Sequence, residues 1–127
     1  MPVLPQRSLT PGVANPAVTQ ATNRSTICAT GWTKTIRPPL SYLSALKVRQ
    51  MKQYGETGST SLYEEDQLIP LELGGAPRDP KNLWPEPRTQ ATGSNPLESA
   101  LAQRVCRGTL SLTEARIRIL TFKRTHG

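Results

Sequence analysis

The sequence predicts a small single domain of the α+β class with an extended N-terminal arm. A chain of 127 residues suits one modest hydrophobic core. Its 12 prolines and 9 glycines, beside only six aromatic residues, indicate a fold that is rich in loops. Alternating residues near the middle of the chain precede two apolar stripes of helical period, which is the order of a strand region followed by helices.

The N-terminal part of the chain is polar and poor in large apolar side chains. Residues 1–25 are rich in Pro, Thr, Asn and Ser, which predicts an extended arm or docking tail, whereas residues 26–127 form the folded domain. The segment from Ile27 to Ile36 alternates Thr and Lys around Trp32 and predicts a short strand that ends before two prolines.

The first helix is predicted from Ser41 to Tyr54. Ser41 would cap its start, and Gly55 would end it. Its cations lie largely off the apolar stripe and are expected to form a solvated face: Lys47, Arg49 and Lys52.

The acidic centre of the chain is predicted to be hairpin-like. Tyr63 to Leu73 is interpreted as a strand, a bend at Pro70 and a second short apolar run. Gly74 and Gly75 then require a loop.

Two further helices are predicted in the C-terminal third. The first would begin with Asn95 as N-cap and Pro96 at its first position, and Gly108 would close it. A second capping box runs from Ser111 to Glu114. The apolar stripe of the last helix comprises Leu112, Ala115, Ile119 and Phe122. Its cations are predicted to lie mostly outside that stripe: Arg116, Arg118, Lys123 and Arg124.

Charge is strongly segregated along the chain. Residues 1–52 carry seven basic groups and no acid, residues 53–98 carry three basic and eight acidic groups, and residues 99–127 carry six basic groups and one acid. The net charge of +7 favours a polyanionic partner, either nucleic acid or an anionic membrane surface, and the alternative that it leaves open is a soluble basic protein without such a partner. A solvated acidic loop between two basic elements would give the same pattern.

Two cysteines, Cys28 and Cys106, are too far apart for a local zinc or redox motif. They would form either a long-range disulfide or two buried thiols. The disulfide would require an oxidising compartment and would therefore favour a secreted or periplasmic location. No apolar stretch is long enough to span a membrane, and Met1 to Pro5 lack the apolar core of a signal peptide.

Asp66 lies where a strand is predicted to end, and a carboxylate there suits a hard divalent cation. Hydrolysis of a phosphodiester also needs a base that activates water, and a neutral imidazole beside the metal would serve. The residue that follows Asp66 is Gln67.

Residues 65–75, with the sequence EDQLIPLELGG, and residues 82–85, with the sequence NLWP, resemble the HNH, or ββα-metal, nuclease family, in particular its small bacterial members. The family core has His where this chain has Gln67. The resemblance extends over nearly the whole chain, through residues 9–12, 15–16, 18–22 and 25–28 to Trp32 and the Val105-Cys106 pair with Gly108.

The resemblance implies a ββα-metal core with a further C-terminal helix, and the following site. Asp66 would bind a divalent metal ion, Mg²⁺ first, with Mn²⁺ or Zn²⁺ as the alternatives. Gln67 occupies the place of the general base, and Asn82 would brace the loop that orients it. Relatives carry Lys-Asp at the helix entry, where this chain has Ser94 and Asn95, so that Asn95 would offer an amide oxygen to the metal.

The function implied is that of a metal-dependent endonuclease acting on DNA, or on RNA, with little sequence specificity. An immunity or inhibitor protein is a further expected partner, and we expect a monomer. Because a carboxamide is not basic near neutral pH, the resemblance also implies that hydrolysis is impaired here. The alternative is a non-catalytic module that keeps the nuclease fold and binds nucleic acid or protein.

Three interpretations of Gln67 remain open from the sequence. It is an introduced inactivating change, a natural loss, or a sign that another carboxylate activates water; the candidates are Glu64, Glu65 and Glu72. The only histidine, His126, lies one residue from the C-terminus and is expected in a frayed tail outside the active site.

Overall fold

A two-stranded antiparallel sheet followed by a helix occupies the centre of the molecule. The computed structural model describes every residue from Met1 to Gly127. Its helices and strands are α1 (Trp32–Thr35), α2 (Leu40–Tyr54), β1 (Tyr63–Gln67), β2 (Leu83–Pro87), α3 (Asn95–Cys106) and α4 (Leu112–His126). The prediction of a small α+β domain is confirmed, and the strand–strand–helix order precedes one more C-terminal helix as expected.

The second strand of the sheet differs from the predicted one. Strand β1 pairs with β2 in the register Tyr63↔Pro87 to Gln67↔Leu83. The apolar run expected to return as a strand instead forms a 3-10 helix, Leu71–Leu73. Pro70 lacks the N–H that a strand ladder needs, and Gly74 adopts a left-handed conformation with φ 76°, so the chain turns there and does not extend.

The hydrophobic core lies between α3, α4 and the segment that joins the two strands. Its buried members are Val18, Ile69, Leu73, Leu101, Val105, Leu112, Ala115 and Ile119. Helix α2 packs against both strands on another side of the molecule, where Trp84 is fully buried beside Tyr54. The sheet therefore packs on α2, while α3 and α4 pack on each other and on the segment that joins the two strands.

The strand predicted around Trp32 is wrong. Gly31 has φ 81°, and a single helical turn, α1, follows it. The segment with the alternating residues pairs with no neighbouring strand, since the sheet contains β1 and β2 alone. Trp32 packs half-buried against the core.

The helix boundaries follow the predictions closely, although two of the predicted caps are wrong. Pro39, not Ser41, precedes the first residue of α2. Ser94, not Asn95, is the N-cap of α3. At α4 the backbone N–H of Glu114 donates to the hydroxyl of Ser111 at 3.1 Å, which confirms Ser111 as the N-cap. The carboxylate of Glu114 accepts from Arg118, so the reciprocal half of the predicted capping box does not form.

Residues 1–25 have little regular structure and lie along the domain. Val18 belongs to the core, and Ala14 forms an isolated antiparallel bridge with Gly75. The backbone N–H of Gly12 donates to the carbonyl of Lys81 at 2.9 Å. The segment is thus fixed to the loop that connects the two strands.

Cys28 and Cys106 form a disulfide with their Cα atoms 5.6 Å apart, as predicted. It joins the turn before α1 to the last residue of α3. None of the helices has the length and apolar character needed to cross a membrane.

Candidate active site

Three of the four residues that the sequence predicts for the active site line one cavity. Asp66 and Gln67 end strand β1, and Asn95 begins α3. All three border a cavity of about 510 Å³, together with Glu98 one turn further along α3. The hairpin and the start of the following helix therefore converge where the resemblance implies that a metal and a base would lie.

The fourth residue, Asn82, lies behind the cavity and is completely buried. Its Oδ1 accepts from the backbone N–H groups of Ile69 at 3.0 Å and Val13 at 3.1 Å. Its Nδ2 donates to the carbonyls of Ile69 and Ala76, both at 3.0 Å. Asn82 thus ties the N-terminal segment, the residues after Gln67 and the following loop to one side chain.

The close packing around Asn82 explains the second glycine of the Gly74-Gly75 pair. A Cβ atom at Gly75 would collide with the backbone carbonyl of Ile69 and would press on Nδ2 of Asn82. No side chain fits at this approach of two backbone segments.

The side-chain amide of Gln67 forms a hydrogen bond within the turn that follows β1. Its Oε1 accepts a long hydrogen bond, 3.3 Å, from the backbone N–H of Leu71. A carboxamide that accepts from the backbone fixes the turn after β1, but it cannot take a proton from water near neutral pH.

Lys123 belongs to the candidate site, but its burial was predicted wrongly from the sequence. It was expected to lie outside the apolar stripe of α4, but its side chain is fully buried. Its Nζ donates to Oδ2 of Asp66 at 2.6 Å and to the carbonyl of Gln67 at 2.8 Å, and lies 3.5 Å from Oε2 of Glu98. Burial alone would lower the pKa of Lys123, but Asp66 and Glu98 outweigh it and raise that pKa, so the ammonium stays charged.

The spacing in α4 contains the signal that would have placed Lys123. Leu112, Ala115 and Ile119 are buried at intervals of three and four residues, and position 123 continues the same series. A cation at that position must either disrupt the stripe or find buried acceptors, and here it finds them.

A second buried carboxyl group, Glu86, completes the polar cluster around Asp66. It is fully buried on strand β2, and its Oε2 accepts from Nε2 of Gln90 at 3.0 Å. Burial, and then the adjacent Asp66, raise the pKa of Glu86 to about 8. Glu86 is therefore mainly protonated at neutral pH, and the cluster avoids a third negative charge.

The carboxyl groups considered as substitute bases all border the same cavity: Glu64, Glu65 and Glu72. Both carboxyl oxygens of Glu65 are buried without a hydrogen-bond partner. Burial raises the pKa of Glu65 to about 8, although Lys47 opposes that effect. Burial also raises the pKa of Glu72.

The residues present do not fit a divalent metal ion as the chain stands. No group of three or more His, Cys, Asp or Glu side chains is arranged to hold one. One carboxylate oxygen of Asp66 already accepts from Lys123, and Asn95 is exposed. A hard divalent ion takes six or more oxygen ligands and would have to compete with the ammonium for the central one.

His126 plays no part in the cavity. It lies in the last turn of α4 and not in a free tail, and its ring stacks on Phe122 with centroids 4.5 Å apart. No imidazole therefore lies beside Asp66 or Gln67, and the chain has no other histidine to supply one.

No family model, curated protein or solved structure matches the chain.

Proposed function

We propose that the chain is a DNA-binding protein built on the frame of an HNH-like nuclease, in which hydrolysis of phosphodiesters is impaired. The observation that carries the proposal is the convergence of Asp66, Gln67 and Asn95 on one cavity, with an amide where the resemblance implies a base. Loss of a general base costs on the order of 10²- to 10⁴-fold in rate. What remains is a scaffold able to bind a polyanion.

Binding of DNA is supported by the distribution of charge. Of the sixteen Lys and Arg residues, Arg118 and Lys123 alone form ion pairs with carboxylates. Most of the others are exposed, whereas five of the nine acidic residues line the cavity, where Arg37 is the one cation. The outer surface therefore presents cations to phosphates, while the cavity itself would repel them.

A shallow groove of about 310 Å³ offers a defined place for the phosphate backbone. Arg49 of α2 and Lys81 of the loop before β2 line it, with Ser8 and Gln53 as neutral donors and no carboxylate. Arginine and lysine facing the same groove suit successive phosphates of one strand. Contacts of this kind carry no sequence information, which agrees with a non-specific binder.

Binding should be measured by fluorescence anisotropy with a labelled duplex of arbitrary sequence between 50 and 200 mM salt. Each neutralised phosphate contributes about −0.9 to the slope of log K against log salt, so the double variant Arg49→Ala/Lys81→Ala should flatten the slope by about 2. Arg118→Ala is the matched control, because Glu114 already engages that guanidinium at 3.1 Å. EDTA should leave the binding unchanged.

An absence of binding at the lowest salt concentration would overturn the proposal. A protein partner, such as an immunity or inhibitor protein, would then be the remaining class. We place the protein in an oxidising compartment, secreted or periplasmic, because its Cys28–Cys106 disulfide would not persist in a reducing cytosol.

A further inference from the structure

The buried ammonium of Lys123 has the surroundings of a metal ion. A carboxylate oxygen of Asp66, the backbone carbonyl of Gln67 and a carboxylate oxygen of Glu98 face it at 2.6, 2.8 and 3.5 Å. These are the oxygen types that hard divalent cations select. The separations are those of N–H···O hydrogen bonds and ion pairs, and are longer than the roughly 2.0 to 2.1 Å of a Mg²⁺ shell.

We propose that Lys123 is a resident cation that takes the place of the divalent metal implied by the nuclease-like frame, so that the unaltered chain binds no metal at Asp66. The expectation of a metal ion at Asp66 rests on the proposed function. The inference that no metal ion binds there rests on the contacts of Lys123.

The ammonium is difficult to displace. The side chain has no exposed surface, and a metal entering at Asp66 would leave a buried charge with its strongest acceptor lost. Two cations within a few ångströms of each other would also repel. A divalent ion therefore binds only when the ammonium is removed.

The replacement has a chemical consequence. A metal ion keeps positions for water and lowers the pKa of that water, which generates the nucleophile of hydrolysis. An ammonium has three N–H groups and no site for coordination. Here two of them donate to protein oxygens, so Lys123 neutralises the carboxylates without activating water.

The experiment is a titration with Mn²⁺ followed by electron paramagnetic resonance of the free ion, without DNA. The unaltered chain should bind no Mn²⁺ at the candidate site. Lys123→Met, which keeps the length of the side chain and removes its charge, should bind one Mn²⁺ at least about tenfold more tightly than any residual binding by the unaltered chain. Adding Asp66→Asn should abolish that binding, and Lys34→Met, at an exposed lysine of α1, should bind none.

A single Mn²⁺ site in the unaltered chain that disappears in Asp66→Asn would overturn the inference, as would a folded Lys123→Met that binds none. If Lys123→Met folds only when Mn²⁺ is present, the inference is supported, because the metal then supplies the missing charge. Lys123→Gln is the second variant, since its amide can still donate to the carbonyl of Gln67. Failure of DNA binding would overturn the proposed function without changing these titrations.

Discussion

Removal of the Cys28–Cys106 disulfide should destabilise the protein by a predictable amount. The two cysteines are 78 residues apart in sequence. In the chain-entropy model, opening a loop of that length costs about 4.5 kcal/mol at 25 °C. For a domain of 127 residues, a loss of this size lowers the melting temperature by about 15 °C. The loop contains β1, β2 and most of α3, so the bond restrains every residue of the candidate site except Lys123, which lies on α4.

The double variant Cys28→Ser/Cys106→Ser should be compared with the oxidised chain by urea unfolding and by thermal circular dichroism. Dithiothreitol should bring the unaltered chain close to the double variant and should leave the double variant unchanged. A loss of less than about 1.5 kcal/mol would refute the reasoning, because the unfolded chain would then not be restrained by the bond as the model requires.

Three further predictions follow from the site. Asn82→Ala should lower the unfolding free energy by at least about 3 kcal/mol, measured by urea unfolding, because it leaves four backbone partners unsatisfied; a loss below about 1 kcal/mol would contradict the bracing role. Because the folded pKa of Glu86 is raised from 4.5 to about 8, Glu86 should make the unfolding free energy fall as pH rises through that window, contributing up to about 1.4 kcal/mol per pH unit beside a similar contribution from Glu65, and Glu86→Gln should reduce the slope. An unchanged slope in that variant would assign the effect to other groups. Gln67→His alone should leave plasmid DNA uncut with Mg²⁺ or Mn²⁺, whereas Gln67→His/Lys123→Met should nick it, as gel electrophoresis would show; nicking by the single variant would contradict the role given to Lys123.

Local signals in the sequence were sufficient to predict the two helices of the C-terminal third. The hydroxyl of Ser111 caps α4 as its spacing with Glu114 predicts, because both partners lie within one turn. Asp66 and Gln67 are the last two residues of β1, and the sequence predicted Asp66 at a strand end. The convergence of these two residues with Asn95 could be predicted only through the family resemblance, since the start of α3 is far from β1 in sequence.

The wrong predictions concern segments and side chains whose structure is determined by tertiary contacts. The alternation around Trp32 resembles a strand, but a strand needs a partner, and none is adjacent. Lys123 was assigned to solvent because lysine is rarely buried without a partner, and its partner Asp66 lies 57 residues earlier. Sequence spacing could have placed Lys123 on the buried stripe, but only the fold shows what it contacts.

On the proposed function, Gln67 and Lys123 would together remove two requirements of metal-dependent hydrolysis, the general base and the metal ion. The amide at position 67 cannot take a proton from water, and the ammonium at position 123 neutralises Asp66 without offering a coordination site for water. Restoring either part alone leaves the other missing, so the two substitutions should be strongly non-additive in activity. The ammonium also neutralises the partly buried carboxylate of Asp66, at the place where the resemblance implies a metal. If the proposed function holds, stability and catalysis are separated: the chain would keep a nuclease-like frame without a bound ion, and its exposed cations would remain available to bind DNA.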